Sequence, residues 1–363
     1  MLLISGEFIG QLNWDGKKLL IFLLLSRIII YFVGNNVISF ANQWDSPHYL
    51  YLAENWYTNI GDQANFIVFL PLYPFFIKVF SLGFFDYKIV SLFLSNLFFI
   101  LGGLIFYKLL RLDYSEKFSV FVLVLLSVFP TSFFFSSTYP ESLYLFLFSL
   151  SFYLVRKNYL TMSFATTSLL TLTRPFGILI WLPLLIESLK KNKLSKILPI
   201  ISFFCIFSIL IYLLINYLVY GNFFAFQKIL QNNWVKSFSF PWKGILNSWK
   251  IALGGRSWDE YKIFVGWAEA LASTIAWLFI PLSFIKKFRI RTSYIIYYLM
   301  GVMMMTSTGF ILSSPRYLLS LPPFFIILAK ILKSKFLKII WLMVSVTLFL
   351  LLSSNFSKGL WSL

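Results

Sequence analysis

The sequence has 363 residues, 59% hydrophobic and 12% charged, with a mean hydropathy of +0.82 and a net charge of +18. A soluble domain is about 45–50% apolar and roughly 25% charged, so a water-soluble globule is excluded; and because the basic residues sit in short clusters between apolar runs, the charge points to membrane orientation rather than to nucleic acid. Cys205 is the only cysteine and His48 the only histidine, which excludes an intramolecular disulfide and a His/Cys metal cluster, and any Ser-His-Asp triad would have to use His48.

Continuous apolar runs such as 120–129 and 197–214 predict membrane helices, which satisfy their own backbone in lipid. A transmembrane barrel would instead alternate over segments of about 10 residues. The expectation is an all-α polytopic integral membrane protein, a single membrane domain over 1–363 with about eleven transmembrane helices. The first run, 18–38, follows Lys17-Lys18 and lacks a small-residue cleavage site, so it reads as a retained helix. A first extracytoplasmic loop follows over 39–88. Within it, the apolar stretch 66–83 carries Pro71 and Pro74 and reads as interfacial or re-entrant. Counted as a full span, it would carry Lys108, Arg111 and Lys117 to the outside.

The next spans are expected at 89–107, 118–138 and 141–155. A short pair at 159–173 and 175–189, broken at Arg174-Pro175, reads as tilted or re-entrant, and 197–219 follows. A second outer loop over 220–262 carries Trp234, Trp242, Trp249 and Trp258, which suit an interfacial belt. The last spans are expected at 263–285, 292–312, 317–331 and 336–353. With the N-terminus in the cytoplasm, the basic clusters at 17–18, 108–117, 156–157, 190–196, 286–291 and 330–338 all fall inside, as the positive-inside rule requires. There is no tandem repeat and no soluble domain.

This orientation, set by the lysines and arginines, gathers Asp45, His48, Glu54, Glu141, Arg174, Gln227, Arg256, Asp259, Glu260 and Arg316 at the outer boundary. Polar residues at that depth are costly and tend to be functional. Asp45 precedes Ser46-Pro47 and is either a helix N-cap or a catalytic carboxylate; the two uses are compatible if Ser46 caps and Asp45 is free. Glu141 opens a helix, where the dipole alone would favour it. Arg174 and Arg316 each precede or follow a proline at a helix break and either snorkel or bind an anion. His48 either pairs with Asp45 or faces water, the latter being the simpler expectation.

The motifs resemble the PIG-V family, the second mannosyltransferase of glycosylphosphatidylinositol synthesis and its prokaryotic relatives, of the GT-C class. The similar pieces are QWDSPHYLYLAENWY (43–57), FLPLYPFFIKVF (69–80), FPTSFFFSSTYPESLYLFLFSLSFYLVRK (129–157), LTLTRPFGILIWLPLLIE (170–187), GNFFAFQKILQNNW (221–234) with FPW (240–242), and SSPRYLLSLPPFFIILA (313–329). They occur in family order over most of the chain. The resemblance implies membrane helices with a large first extracytoplasmic loop. It also implies a polyprenyl- or dolichyl-phosphate sugar donor, usually of mannose, and transfer with inversion. The acidic residue of the first outer loop falls on Asp45. Gln43 departs from relatives, which often carry a basic residue before the Trp-Asp pair.

The chemistry follows. A phosphate ester leaves readily, so no protonated general acid of the glycosidase kind is needed. One base for the acceptor hydroxyl suffices, with a cation to offset charge on the phosphate. Asp45 is the candidate base, and Arg174 or Arg316 the phosphate partner. His48, Glu141, Gln227, Trp234 and Tyr317 complete the candidate substrate-binding set, and the hairpins 66–83 and 159–189 are candidates to receive the prenyl tail. No cofactor is required and no metal site is apparent, although a carboxylate-bound divalent ion stays open. The expected partners are the lipid-phosphate donor, a lipid or glycan acceptor and the bilayer, at a plasma membrane in a prokaryote or the ER in a eukaryote. The alternatives are a transporter or flippase of lipid-linked sugars, which would favour internal symmetry, and a non-enzymatic assembly subunit for which Asp45 would be dispensable.

Overall fold

The computed structural model describes residues 14–362 apart from 35 and 256. Helices α1 (Trp14–Val33), α2 (Ser46–Asn55), α3 (Leu72–Ser81), α4 (Tyr87–Leu110), α5 (Glu116–Ser127), α6 (Glu141–Arg156), α7 (Leu160–Thr171) and α8 (Trp181–Leu189) form the first half. Helices α9 (Leu194–Tyr220), α10 (Ala225–Asn233), α11 (Pro241–Leu253), α12 (Glu269–Ser283), α13 (Thr292–Thr306), α14 (Ser314–Tyr317), α15 (Pro322–Ile331) and α16 (Lys335–Ser357) form the second. Among the described residues, β pairing is limited to one bridge between Phe238 and Thr308.

Local chemistry sets several ends. Asp86 accepts from the Lys88 and Ile89 amides at the start of α4, and Ser334 accepts from Leu337 at the start of α16. Gly221, at φ +67, closes α9 in the left-handed conformation that glycine adopts cheaply. Four helical segments are individually long and apolar enough to cross a bilayer: Tyr87–Leu110, Leu194–Tyr220, Lys262–Ser283 and Lys335–Ser357. Each of the eleven expected spans falls on a helix or a broken helix, and several are shorter than expected. The run 118–138 stops at Ser127 and resumes as a 3-10 turn over Ser132–Ser136, because Pro130 has no amide proton to continue the ladder. The run 317–331 divides before Pro322-Pro323 for the same reason. The stretch 66–83 lies in a helical pair, Asp62–Val68 and Leu72–Ser81, bent by 109°.

The packing centre is the pair α4 and α6. A Cβ added at Gly102 would lie 2.9 Å from the Phe146 amide nitrogen, so the close approach of these helices requires glycine there, as small residues commonly allow in membrane bundles. α9 and α16 bury little of themselves; Phe203, Leu210, Met343 and Leu351 project outward from them, the pattern of a lipid-facing helix. Arg27, within α1, is 2% exposed. Its guanidinium donates to the carbonyls of Ser132, at 2.7 Å, and Ser127 and lies 4.3 Å from the Phe99 ring centre. It thereby satisfies backbone that the break at Pro130 frees.

Two charged clusters occupy opposite ends of α6. At its C-terminal end Arg156 binds Asp113 at 2.7 Å, Arg291 binds Asp113 at 2.9 Å and Glu187 at 2.8 Å, and Lys190 and Ser293 also contact Glu187. This ties together four of the basic loops that the charge pattern assigns to one side. Glu141 opens the other end, roughly 22 Å away at 1.5 Å per residue.

Candidate active site

Asp45 is delivered by the turn that leads into α2. Trp44, at φ 54, reverses the chain there, and Tyr139 clamps the turn, its hydroxyl accepting from the Asp45 amide at 3.0 Å and donating to the Gln43 carbonyl at 3.4 Å. Asp45 occupies the N-cap position but its side chain makes no capping bond. Oδ2 instead accepts from Arg316 Nη1 at 3.0 Å, and Oδ1 has no partner among the described residues. Asp45 is thus free of the capping role, as one reading of the sequence allowed, but Ser46 does not take that role in its place. Ser46 is the first helical residue, fully buried, with a hydroxyl that has no partner among the described residues, because packing of α2 turns it inward, away from the N2 and N3 amides.

Glu141 is 1% exposed at the first position of α6. Its Oε1 faces both Arg174 Nη1 and, at 2.9 Å, Arg316 Nε, so the dipole explanation alone is insufficient. Arg174 sits in extended backbone (φ −150°, ψ 151°) before Pro175, as the residue before a proline prefers. That break, followed by a 3-10 turn over Pro175–Ile180, turns its side chain toward α6. Arg316 is carried by α14 and lies 4.9 Å from the Tyr139 ring centre and 5.1 Å from that of Phe134. Two carboxylates and two guanidiniums thus form one partly buried cluster.

Beside this cluster lies a cavity of about 600 Å³. Asp45, Arg174, Arg316 and Tyr317 form its polar wall, with Lys236 and Thr173. Val68–Leu70 and Pro175-Phe176, from the two proline-broken hairpins, join Leu230, Phe238 and Met303–Met305 in the apolar wall. Trp234 also lines it, its ring 5.4 Å from Phe69 and its Nε1 buried without a partner among the described residues. Such a combination of apolar walls and a few convergent polar groups is typical of a ligand site.

His48 is half-buried against aromatic rings rather than simply facing water. Its ring lies 4.3 Å from Phe66, 5.2 Å from Phe69 and 6.3 Å from Trp234, directly behind the cavity wall. Burial pushes its imidazolium below the ordinary range, against a smaller opposing effect of Asp45. Gln227 is exposed on α10 and is not part of the cavity lining, since the side of α10 that faces the cavity carries Leu230. Glu54 and Glu260 are exposed, and Asp259 caps the Lys262 amide. Arg256 lies outside the described residues.

Two contributors escaped the motif reading. Lys236 lines the cavity from the segment between α10 and α11. Glu269, 1% exposed at the start of α12, accepts from the amides of Ser313 (2.5 Å) and Ser314 (2.8 Å) and from the Ser314 hydroxyl. It anchors the turn that carries Arg316. A carboxylate inside the apolar run 263–285 was the available signal.

The model of the Alg9-like mannosyltransferase family matches residues 55–239, half of the chain. The chain belongs to this family. It is accordingly an integral membrane protein of that family, in agreement with the likeness of its motifs to GT-C mannosyltransferases. The matched region holds Glu141, Arg174, Trp234 and Lys236 and begins after Asp45. No curated protein matches the sequence significantly. Among solved structures, the fold is similar to that of ArnT from Cupriavidus metallidurans bound to undecaprenyl phosphate. The TM-score is 0.50 at 15% identity, over 86% of this chain and 59% of that one. The chain therefore spans less than two thirds of that structure's length.

Proposed function

We propose that this protein transfers a sugar, mannose by its family, from a polyprenyl- or dolichyl-phosphate donor to a hydroxyl of a lipid or glycan acceptor, with inversion. The observation that carries the reading is the position of Asp45 on the wall of an otherwise largely apolar cavity, beside two guanidiniums, with Oδ1 unpartnered among the described residues. The apolar wall suits the first prenyl units, and the family and the ArnT-like fold, solved there with undecaprenyl phosphate, support a lipid-phosphate donor. In the reaction the acceptor oxygen attacks C1 of the sugar and its proton passes to Asp45 Oδ1. The C1–O bond to the phosphate breaks, and its electron pair leaves on the prenyl phosphate.

Arg316 holds the other oxygen of Asp45, which fixes the carboxylate for the proton it takes. Arg174 and Arg316 have N–H donors to spare, five per guanidinium, and can direct these at phosphate oxygens. We place the cavity at the extracytoplasmic face, with the N-terminus in the cytoplasm and about eleven crossings, on the strength of the basic loops. The test is incubation of purified protein with a panel of polyprenyl-phosphate sugars, followed by product analysis. Transfer from polyprenyl-phosphate mannose is expected; uptake of labelled lipid-linked sugar across vesicles without any transfer would overturn the reading in favour of a flippase.

A further inference from the structure

The cavity wall carries three cations, Arg174, Lys236 and Arg316, and their charges are not equally available. The arginines face Glu141 and Asp45, so that cluster sums to zero. It can offer directed hydrogen bonds to an anion but little net charge. Lys236 has no carboxylate ion pair among the described residues. Its ammonium is 3.4 Å from the Phe310 carbonyl, beyond the usual N–H···O range. Glu269 lies within electrostatic range of it but makes no ion-pair contact with it, its oxygens being held by Ser313 and Ser314, whereas each arginine is in direct contact with a carboxylate.

The backbone holds Lys236 in place deliberately. Its amide donates to the Leu230 carbonyl at 3.0 Å, and Ser239 donates to the Ser307 carbonyl at 3.2 Å, next to the Phe238–Thr308 bridge. Residues 235–239 thus strap α10 to the rim at 307–310. Val235 adopts φ 53, a left-handed conformation rare for a β-branched residue. Such strain persists only where the surroundings enforce it, and it concentrates at ligand sites.

We infer that Lys236 is the net positive charge that neutralises the phosphate of the lipid-linked donor, and that it acts more strongly on the departing prenyl phosphate than on the intact donor. The inference rests on the function proposed above. The intact donor is a phosphodiester with a single negative charge. When its bond to C1 breaks, the electron pair stays on phosphate and the product becomes a monoester of about −1.5 to −2 charge near neutral pH. A fixed ammonium at that point stabilises charge that develops only as the bond breaks.

The experiment measures binding of undecaprenyl phosphate and of its uncharged alcohol, undecaprenol, to the purified full-length protein in nanodiscs. Lys236→Met, Lys236→Arg and, as a control, Lys228→Met on the exposed side of α10 are compared with wild type, with thermal melts to verify folding. Lys236→Met is expected to weaken undecaprenyl phosphate about tenfold or more, the scale of a charge-assisted contact, and to leave undecaprenol unchanged. Lys236→Arg should recover most of the loss and Lys228→Met should behave as wild type. If wild type prefers the phosphate and folded Lys236→Met prefers it equally, the Lys236 assignment falls while the donor reading stands. If wild type does not distinguish phosphate from alcohol, the donor reading falls and takes this inference with it.

Discussion

Arg316 Nη1 donates to Asp45 Oδ2 at 3.0 Å across 271 positions of sequence. The same guanidinium reaches Glu141 through Nε at 2.9 Å, so one arginine aligns the carboxylate that precedes α2 with the buried one that opens α6. A carboxylate held by one oxygen keeps the other for chemistry, and this relationship underlies the first two predictions.

Asp45→Asn preserves size and leaves Arg316 a carbonyl oxygen to bind, but an amide cannot take a hydroxyl proton. Sugar transfer should fall roughly 10²–10⁴-fold, with melting temperature and undecaprenyl phosphate binding near wild type. Near-normal turnover by the folded variant would remove Asp45 from the mechanism. Ser46→Ala is the adjacent control. Its hydroxyl is buried and has no partner among the described residues, so its loss should leave both stability and turnover at or slightly above wild type, since an unsatisfied buried polar group is a cost.

Glu141→Gln should behave differently. It removes the carboxylate that faces both arginines and leaves two partly buried guanidiniums to share Asp45. Breaking a buried pair from one side typically costs ~3–5 kcal/mol. A thermal-shift assay should therefore rank Glu141→Gln well below Asp45→Asn in stability. Equal melting temperatures would mean that Arg174 and Arg316 find water or lipid phosphate as readily as Glu141.

His48 sets a pH dependence whose sign follows from its burial. Its folded-state pKa is lowered, so between that value and the ordinary one of about 6.5 the unfolded chain binds more protons. Stability then rises with pH across this window; it is fully present above about 6.5 and is lost as pH falls below it. His48→Phe, which keeps the aromatic contacts with Phe66 and Phe69, should flatten the melting temperature between pH 7 and pH 5. An equal acid-side slope in wild type and variant would show that another group is responsible.

Topology is testable by labelling. In a Cys205→Ala background, cysteines at Lys193 and Arg289 should react only with reagent on the cytoplasmic side, and cysteines at Asn59 and Asn247 only with reagent outside. Reaction of both sets from one side would refute the orientation, and with it the outward-facing cavity.

Much of this molecule is legible from sequence because hydropathy and chain breaking are local properties. An apolar run predicts a helix wherever it later packs, and the positions of the helical segments follow from composition, proline and clustered lysines. The cost of charge near lipid likewise marked Asp45, Glu141, Arg174 and Arg316 before any contact was known. Which of these would meet was not legible, since ion pairs between residues 271 apart depend on how α2, α6 and α14 pack rather than on any local pattern. The same holds for the inward rotation of Ser46, the aromatic setting of His48 and the outward face of Gln227. Lys236 carries no local motif, and Glu269 carries only the signal of a carboxylate inside an apolar run. One is brought to the cavity by a strap and the other to the Arg316 turn by α12, and only the tertiary structure, which decides what each buried or half-buried charge has within reach, distinguishes a neutralised arginine from a lysine whose charge is still available.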